Sequence, residues 1–316
     1  MTNLKAICDS VADLPMFRAD TQTGIYARQL VTATFRELFR FEYPNTKWLN
    51  GGLIPISSTV NEGATEYSWV EMDHSGRAEL VADGATDIPF ADVAGRNNLR
   101  GIKTLAVGVR YSRQDVRTAR MQGLFEIASE KAAAAREAMD RTLDDLIRSG
   151  DGAAGLDGIV NQPGIIVAAA GTGNWQTATA AQIVADMTTA INQVINGSDG
   201  VEVPNTVVMD VASYTRVSTL QNSTASDITV LQYLQRAFPM IQRWDWEQGM
   251  ATVSAAAGPA VLVYRNDPSR VRAVMPMMMQ AVPPQQSGLC FTLNFESRFG
   301  GVMTPRPRSI LRLDGV

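Results

Sequence analysis

The sequence predicts an α+β fold drawn out into arms, and three observations predict it. Residues 67–111 form one excursion, in which two alternating strand-like runs flank a stretch dense in Asp, Gly, Asn and Pro. Residues 112–149 hold no proline and a single glycine, Gly123, behind a Ser112–Asp115 capping pattern. After Gly164 the chain reads as a compact mixture of helices and strands, and residues 271–316 as strands broken by Pro276, Pro283, Pro284, Pro305 and Pro307.

Taken in order, residues 1–24 are polar and aperiodic, as an extended arm would be. Residues 25–41 predict a helix, with Leu30, Phe35 and Leu38 among Arg28, Arg36 and Arg40, and Pro44 ends it. Residues 51–60 read as a loop or short strand around Pro55. Residues 67–72 alternate as a strand, Ser75-Gly76 punctuates it, and residues 79–82 continue extended. Residues 83–101 carry turn formers such as Asp83, Gly84, Asp87, Pro89, Gly95, Asn97 and Asn98. The return arm, residues 102–111, alternates through Leu105, Val107 and Val109. An excursion of about 45 residues exceeds an ordinary connection, so it is either disordered or engaged with something else.

The strongest signal follows. Leu124, Ala128, Ala132, Ala135, Met139, Leu143 and Leu146 fall on one helix face, and Arg136/Asp140, Glu137/Arg141 and Asp144/Arg148 place opposite charges four apart. Gly150 supplies the stop. A continuous helix here would run about 55 Å at 1.5 Å per residue. Its narrow alanine-rich stripe fits close packing on a sheet, with a coiled coil as the competing reading. Residues 178–196, 211–220 and 228–238 read as helices, residues 206–209 as a buried strand after Pro204, and residues 251–264 as further strands.

Composition narrows the function. The 316 residues are 45% hydrophobic and 19% charged, enough for one substantial core or two smaller ones. No run approaches the roughly 18 apolar residues of a membrane span, and the N-terminus lacks a secretory pattern, so the product reads as cytosolic when made. His74, in a turn-like Asp73-His74-Ser75-Gly76, is the single histidine, which argues against histidine metal sites and Ser–His–Asp chemistry. Cys8 and Cys290 stand too far apart for a metal knuckle. Net charge is −4, without the basic excess of a protein that grips nucleic acid. Of the 28 Lys and Arg residues only Lys5, Lys47, Lys103 and Lys131 are lysines. Such a bias suits ion pairs at interfaces, and a GC-rich genome explains it equally well.

Gly171-Thr172-Gly173 lacks the Lys-Ser or Lys-Thr of a phosphate loop and the third glycine of a dinucleotide fingerprint, so it reads as a loop. Asp151 and Asp157 sit in a glycine-dense loop without the spacing of a calcium hand. Met275, Met277, Met278 and Met279 read as core, with a contact between subunits as the alternative. Paired carboxylates are read only as helix-surface charges. The expectation is a structural protein with no catalytic, cofactor or metal site. An arm and a hairpin that cannot bury themselves imply neighbours to lie upon.

This order of elements resembles the HK97-type capsid fold of the major capsid proteins of tailed double-stranded-DNA bacteriophages. Residues 132–155, AAAAREAMDRTLDDLIRSGDGAAG, followed by Leu156-Asp157-Gly158, look like the end of that family's spine helix and its glycine turn. Residues 283–289 and 296–302 look like its last strands, and Gly76, Ala78 and Asp87-Ile88-Pro89 are similar to its E-loop. The resemblance implies an N-terminal arm and first helix in residues 1–59, an E-loop in 60–111 and a peripheral-domain spine helix in 112–160. An axial domain would follow in 161–265, then peripheral return strands in 266–316.

It also implies assembly of the chain with itself as hexamers and pentamers into an icosahedral virion shell. Packaged DNA would lie inside without sequence-specific binding, with a portal protein at one vertex, no membrane, and a decoration protein as an optional partner. Asp87, Ile88, Pro89, Phe90 and Arg96 are the expected E-loop contacts between subunits, and Arg18 and Arg298 the expected contacts elsewhere. Two departures matter. No lysine lies between Lys47 and Lys103, so a cross-link from the E-loop tip is not expected. Nor is there room before Ile25 for a fused scaffolding segment, which implies a separate scaffolding protein unless a segment has already been removed. The competing readings are an encapsulin-like nanocompartment shell, a soluble α/β enzyme, and a tail or connector protein.

Overall fold

The computed structural model describes residues 44–80, 90–122, 127–223, 226–254 and 258–316. The expected arm, the helix over 25–41, Cys8, Arg18, Asp87, Ile88 and Pro89 lie outside them.

After β1 (Ile56–Ser57) the chain enters a ribbon of β2 (Glu66–Ser75) and β3 (Asp92–Gly101). The two strands pair antiparallel without a slip, from Glu66 opposite Gly101 to Ser75 opposite Asp92, and with no third strand among the described residues. This corrects the sequence reading, in which residues 102–111 were the return arm. The partner is instead the turn-rich stretch containing Gly95, Asn97 and Asn98, and the run after it, β4 (Lys103–Ser112), leaves to pair with a late strand. The reason is physical. A two-stranded ribbon with little burial does not select β-branched residues or alternation, so the usual strand signal is absent from β3.

Ser112 opens α1 (Arg113–Gln122) with the expected reciprocal cap: its hydroxyl accepts from the Asp115 N–H at 3.0 Å, and its own N–H donates to the Asp115 carboxylate at 2.9 Å. Those bonds hold the Asp115 carboxyl below its usual range. A second helix, α2 (Ile127–Ser149), follows, so the predicted long run is described as two helices with residues 123–126 outside the described set. Ala135, Met139, Leu143 and Ile147 of α2 are buried at steps of four, and the Lys131 ammonium donates to the Arg110 carbonyl of β4 at 2.6 Å.

Gly150 (φ +68°) ends α2 and begins β5 (Gly150–Asp151), which pairs with β6 (Leu156–Asp157). A Cβ on Gly158 would fall 2.4 Å from both the Arg148 carbonyl oxygen and the Gly150 nitrogen, so the backbones touch where no side chain fits. One expectation fails here. Asp144 does not pair with Arg148 on the surface but turns inward, accepting from the Trp48 and Leu49 N–H groups at 2.8 and 2.9 Å. Arg148 reaches Asp145 at 2.6 Å and Glu247 at 3.6 Å instead.

The next stretch builds a sheet with helices on it. In order come β7 (Ile166–Ala169), α3 (Ala180–Gly197), β8 (Thr206–Met209), α4 (Val211–Thr219), β9 (Gln221–Ser223), β10 (Ser226–Thr229), α5 (Val230–Ala237), β11 (Arg243–Trp246) and β12 (Ala260–Tyr264). Of residues 251–264, expected as strands, Ala260–Tyr264 form β12, whereas residues 251 and 252 end a 3-10 turn, Gln248–Thr252. The chain returns through β13 (Arg272–Val274), β14 (Met277–Ala281), β15 (Gln285–Ser287), β16 (Cys290–Phe299), β17 (Val302–Met303) and β18 (Ile310–Asp314).

The main sheet runs β11-β8-β12-β18-β7, with β12 antiparallel to both neighbours. Its faces serve two cores. Val208, Leu262 and Ile310 point into a core with Trp48, Met139, Leu143 and Phe299. Val207, Val261, Val263 and Leu311 point into the other, with Ile183, Met187 and Ile191 of α3 and Leu234 of α5. Every residue of β12 is therefore buried, each large apolar side chain contributing about 1.5–3 kcal/mol. Glu202, 2% exposed, ties the loops at one edge by accepting from Arg265, Arg270 and Arg306 at 3.4, 2.8 and 3.1 Å. A second sheet sets β16 between β4 and the pair β14 and β15.

Candidate intersubunit surface

The β2–β3 ribbon stands on a small core of Tyr67, Ile102, Val274 and Met303. The Tyr67 hydroxyl donates to the Gly300 carbonyl at 3.0 Å, and burial pushes its pKa up to about 12, with nearby Arg100 opposing the rise. Arg100 of β3 pairs with Asp157 of β6 at 2.5 Å. Tyr67 stacks on Trp69, whose indole N–H donates to Glu71 at 2.8 Å. All of these side chains share one face of the ribbon, because directly opposed residues of an antiparallel pair lie on the same side.

The opposite face carries an apolar stripe that no described residue covers. Val70, Met72, Val93 and Leu99 project there, 59, 70, 54 and 59% exposed. Their places follow from the register: Ser68 opposite Leu99, Val70 opposite Asn97, Met72 opposite Gly95 and His74 opposite Val93. Towards the far end Phe90 is 93% exposed and Leu80 fully so. A strand face of this kind is a liability unless another surface meets it.

Of the expected contact residues, Phe90 and Arg96 lie on this excursion, Arg96 opposite Glu71 on the charged face. Arg298 lies in β16, away from the ribbon's far end, and its guanidinium donates to the Glu62 carbonyl of the loop preceding β2. The apolar stripe itself was missed. Its signal was present in Tyr67-Ser68-Trp69-Val70-Glu71-Met72, where both alternating sets are part apolar and nothing local says which one faces solvent.

The polar groups weighed as chemical sites are occupied within the fold. The Asp186 carboxylate accepts from the Gly171 N–H, the Thr172 hydroxyl and the Trp175 indole at 3.1, 2.5 and 3.1 Å, which organises the Gly171-Thr172-Gly173 loop. Asp151 accepts from the Ala153 and Ala154 N–H groups, and Asp157 holds Arg100. Met275 and Met277 are core, whereas Met278 is 58% exposed. Among the described residues no group of three or more His, Cys, Asp or Glu side chains could hold a metal ion. Among them, too, no helix is long and apolar enough to cross a membrane.

Residues 76–316 match the family model described as Major capsid protein. The chain belongs to the major capsid protein family. Solved structures agree on the fold. The capsid of Myoviridae phage XM1 superposes with a TM-score of 0.80 at 18% identity, over 92% of this chain and 98% of that one. The capsid of an empty GTA particle gives 0.64 at 14% identity, over 94% and 99%. A virus-like particle from Pyrococcus furiosus gives 0.55 at 12% identity, over 85% and 97%. No curated protein matches the sequence. The capsid protein thus has the HK97-like fold and is a structural shell subunit of a phage, a component of the virion.

Proposed function

We propose that the capsid protein assembles as pentamers and hexamers into a closed icosahedral shell around double-stranded DNA. In this reading the β2–β3 ribbon is the E-loop and lies across a neighbouring subunit through its apolar face. The observation that carries it is the stripe of Val70, Met72, Val93 and Leu99, exposed on a ribbon whose other face is tied to its own subunit. α2 serves as the spine of the peripheral domain. The main sheet with α3, α4 and α5 serves as the axial domain, meeting its copies at the capsomer centre.

The work is mechanical and involves no catalysis. A net charge of −4 suits a wall that encloses packed DNA without gripping its phosphates. Expected partners are a separate scaffolding protein during assembly and a portal protein at one vertex. A decoration protein outside remains optional, and synthesis takes place in the host cytoplasm. With no lysine between Lys47 and Lys103, the shell stands on non-covalent contacts at the ribbon tip.

The test is the double substitution Val70→Asp with Met72→Asp. Both positions are exposed, so folding and thermal midpoint should hold while the yield of closed shells collapses. Shells formed at the wild-type yield would remove the ribbon from the assembly contacts. DNA inside purified virions, with none of the shells filled by a protein cargo, supports the packaging role.

A further inference from the structure

From Gly158 to Ser198 the chain runs 41 residues with one charged side chain, Asp186, in a protein that is 19% charged. The Asp186 carboxylate is turned inward to Gly171, Thr172 and Trp175. The surface that this stretch builds is therefore without charge. It comprises β7 and α3, which lie together at one edge of the main sheet. Every exposed side chain of α3 is Ala, Thr, Asn or Gln. β7 is an edge strand that holds no charge, proline or bulge, the devices that guard such edges, and its Val167 is 53% exposed. Between them lies a groove of about 650 Å³, with Ile166 on one side and Thr189, Asn192, Gln193 and Asn196 on the other.

The opposite edge shares this character. There α4 lies against β11, the other edge strand, and α5 stands between α3 and α4. The exposed residues of α4 are Val211, Ala212, Thr215 and Thr219. Its charged residue, Arg216, is half-buried and donates to the Ala178 carbonyl at 3.4 Å.

We propose that the β7–α3 edge of one subunit packs against the α4 edge of the next copy, head to tail around the capsomer axis. The inference rests on the axial-domain reading above and names the two faces that meet. Contact between unlike faces at opposite edges is what closes a ring of identical chains. The missing charge identifies the occupant. Solvent favours charged side chains on a face, and packed DNA favours Arg and Lys. Loss of charge marks the buried core of a protein interface. Around an axis the demand is sharper, because any charge on the shared face would recur in every copy. The hydroxyls agree: Thr189 and Thr219 donate to the Ala185 and Thr215 carbonyls, each at 2.8 Å, so packing there strands neither proton. The levels agree as well. β7 and β8 run parallel, related through β18 and β12, so α3 and α4 start at the same end of the sheet. Thr189 and Thr219 lie about 14 and 12 Å along their helices at 1.5 Å per residue.

Disulfide trapping tests the contact. In a Cys8→Ser, Cys290→Ser background, Thr189→Cys is combined with Thr219→Cys, and Ala185→Cys with Thr215→Cys. The assembled protein is oxidised and run on a denaturing gel without reductant. The proposal predicts, for at least one pair, a ladder of linked chains that ends at pentamer and hexamer, while each single-cysteine parent stays monomeric. Linked dimers from a single-cysteine parent would place like faces together. Chains left unlinked in both pairs would show that the two edges do not meet. Either result overturns the proposal. Charge gives a second readout: Asn192→Glu with Gln193→Glu, and Asn192→Lys with Gln193→Lys, should each cut the yield of shells about tenfold or more while the thermal midpoint of the free subunit holds. Shells at wild-type yield from the lysine pair alone would assign the face to DNA or another acidic surface and overturn the proposal, as would full yield from both pairs. Wild-type shells in the same experiment keep the capsid reading standing whichever way the variants fall; a wild type that forms none removes both.

Discussion

The hydroxyl of Tyr67 donates to the carbonyl oxygen of Gly300 at 3.0 Å, joining the first strand of the ribbon to a turn 233 residues later in the chain. Gly300 is glycine for a related reason: a Cβ there would lie 2.8 Å from the Tyr67 ring. The ribbon therefore takes its direction from the C-terminal strands, and no local turn sets it. Tyr67→Phe should cost about 1–3 kcal/mol by leaving a buried carbonyl unpaired. Gly300→Ala should cost a similar 1–3 kcal/mol, roughly, by displacing the ring. Hydrogen exchange should rise across β2 and β3 in both variants and stay unchanged in β8 and β12. Uniform loss of protection would mean that the root is not a separate joint.

The loop closing α2 makes a sharper demand. The atoms nearest a Cβ on Gly158 are all backbone, so Gly158→Ala cannot be relieved by a side-chain shift and should cost about 3 kcal/mol or more in chemical denaturation. Gly152, in the same loop, has nothing within 4 Å of its would-be Cβ, and Gly152→Ala should stay within about 0.5 kcal/mol of wild type. Equal effects at the two positions would contradict the close approach of the two backbones.

Asp144 gives a pH signature. Burial pushes its pKa up to about 6; the Leu49 and Trp48 N–H groups oppose that shift, Glu247 adds to it, and Arg148 opposes it. The folded state therefore holds a proton that the unfolded chain, with an ordinary carboxylate near pH 4, has already released. The contribution of this group to stability rises as pH falls from about 6 to about 4 and is lowest above pH 6. Asp144→Asn keeps an oxygen for both N–H donors and removes the titration. The variant should unfold at a higher temperature than wild type at pH 7.5, and the gap should close by pH 4.5. A gap independent of pH would contradict the assignment.

Glu202 is the single carboxylate shared by Arg265, Arg270 and Arg306. Glu202→Gln leaves three guanidiniums together, with Asp267 beside Arg265 to offset them in part. The expected loss is about 1.5–3 kcal/mol, limited by the partial exposure of the arginines. An unchanged denaturation midpoint would show that the cluster is spectator charge.

Much of this fold could be read from local pattern. The helix over Ala180–Gly197 shows in its spacing, the Ser112–Asp115 cap in two residues, and the buried strand Thr206–Met209 in its unbroken apolar run after Pro204. What could not be read depends on distant partners. Asp144 looks like a surface charge until Trp48, 96 residues away, is brought to it. Asp92–Gly101 looks like a loop because an exposed ribbon puts no apolar demand on Gly95, Asn97 or Asn98. Val70 and Met72 look like core for the complementary reason: their alternation implies a covering surface, and none is supplied by the described residues.

The most direct test of the central claim is mass and shape together. The protein, expressed alone and with a scaffolding partner, is measured by light scattering and imaged by electron microscopy. The account predicts closed shells, or five- and six-fold capsomers. A stable 34.2 kDa monomer under both conditions would contradict it.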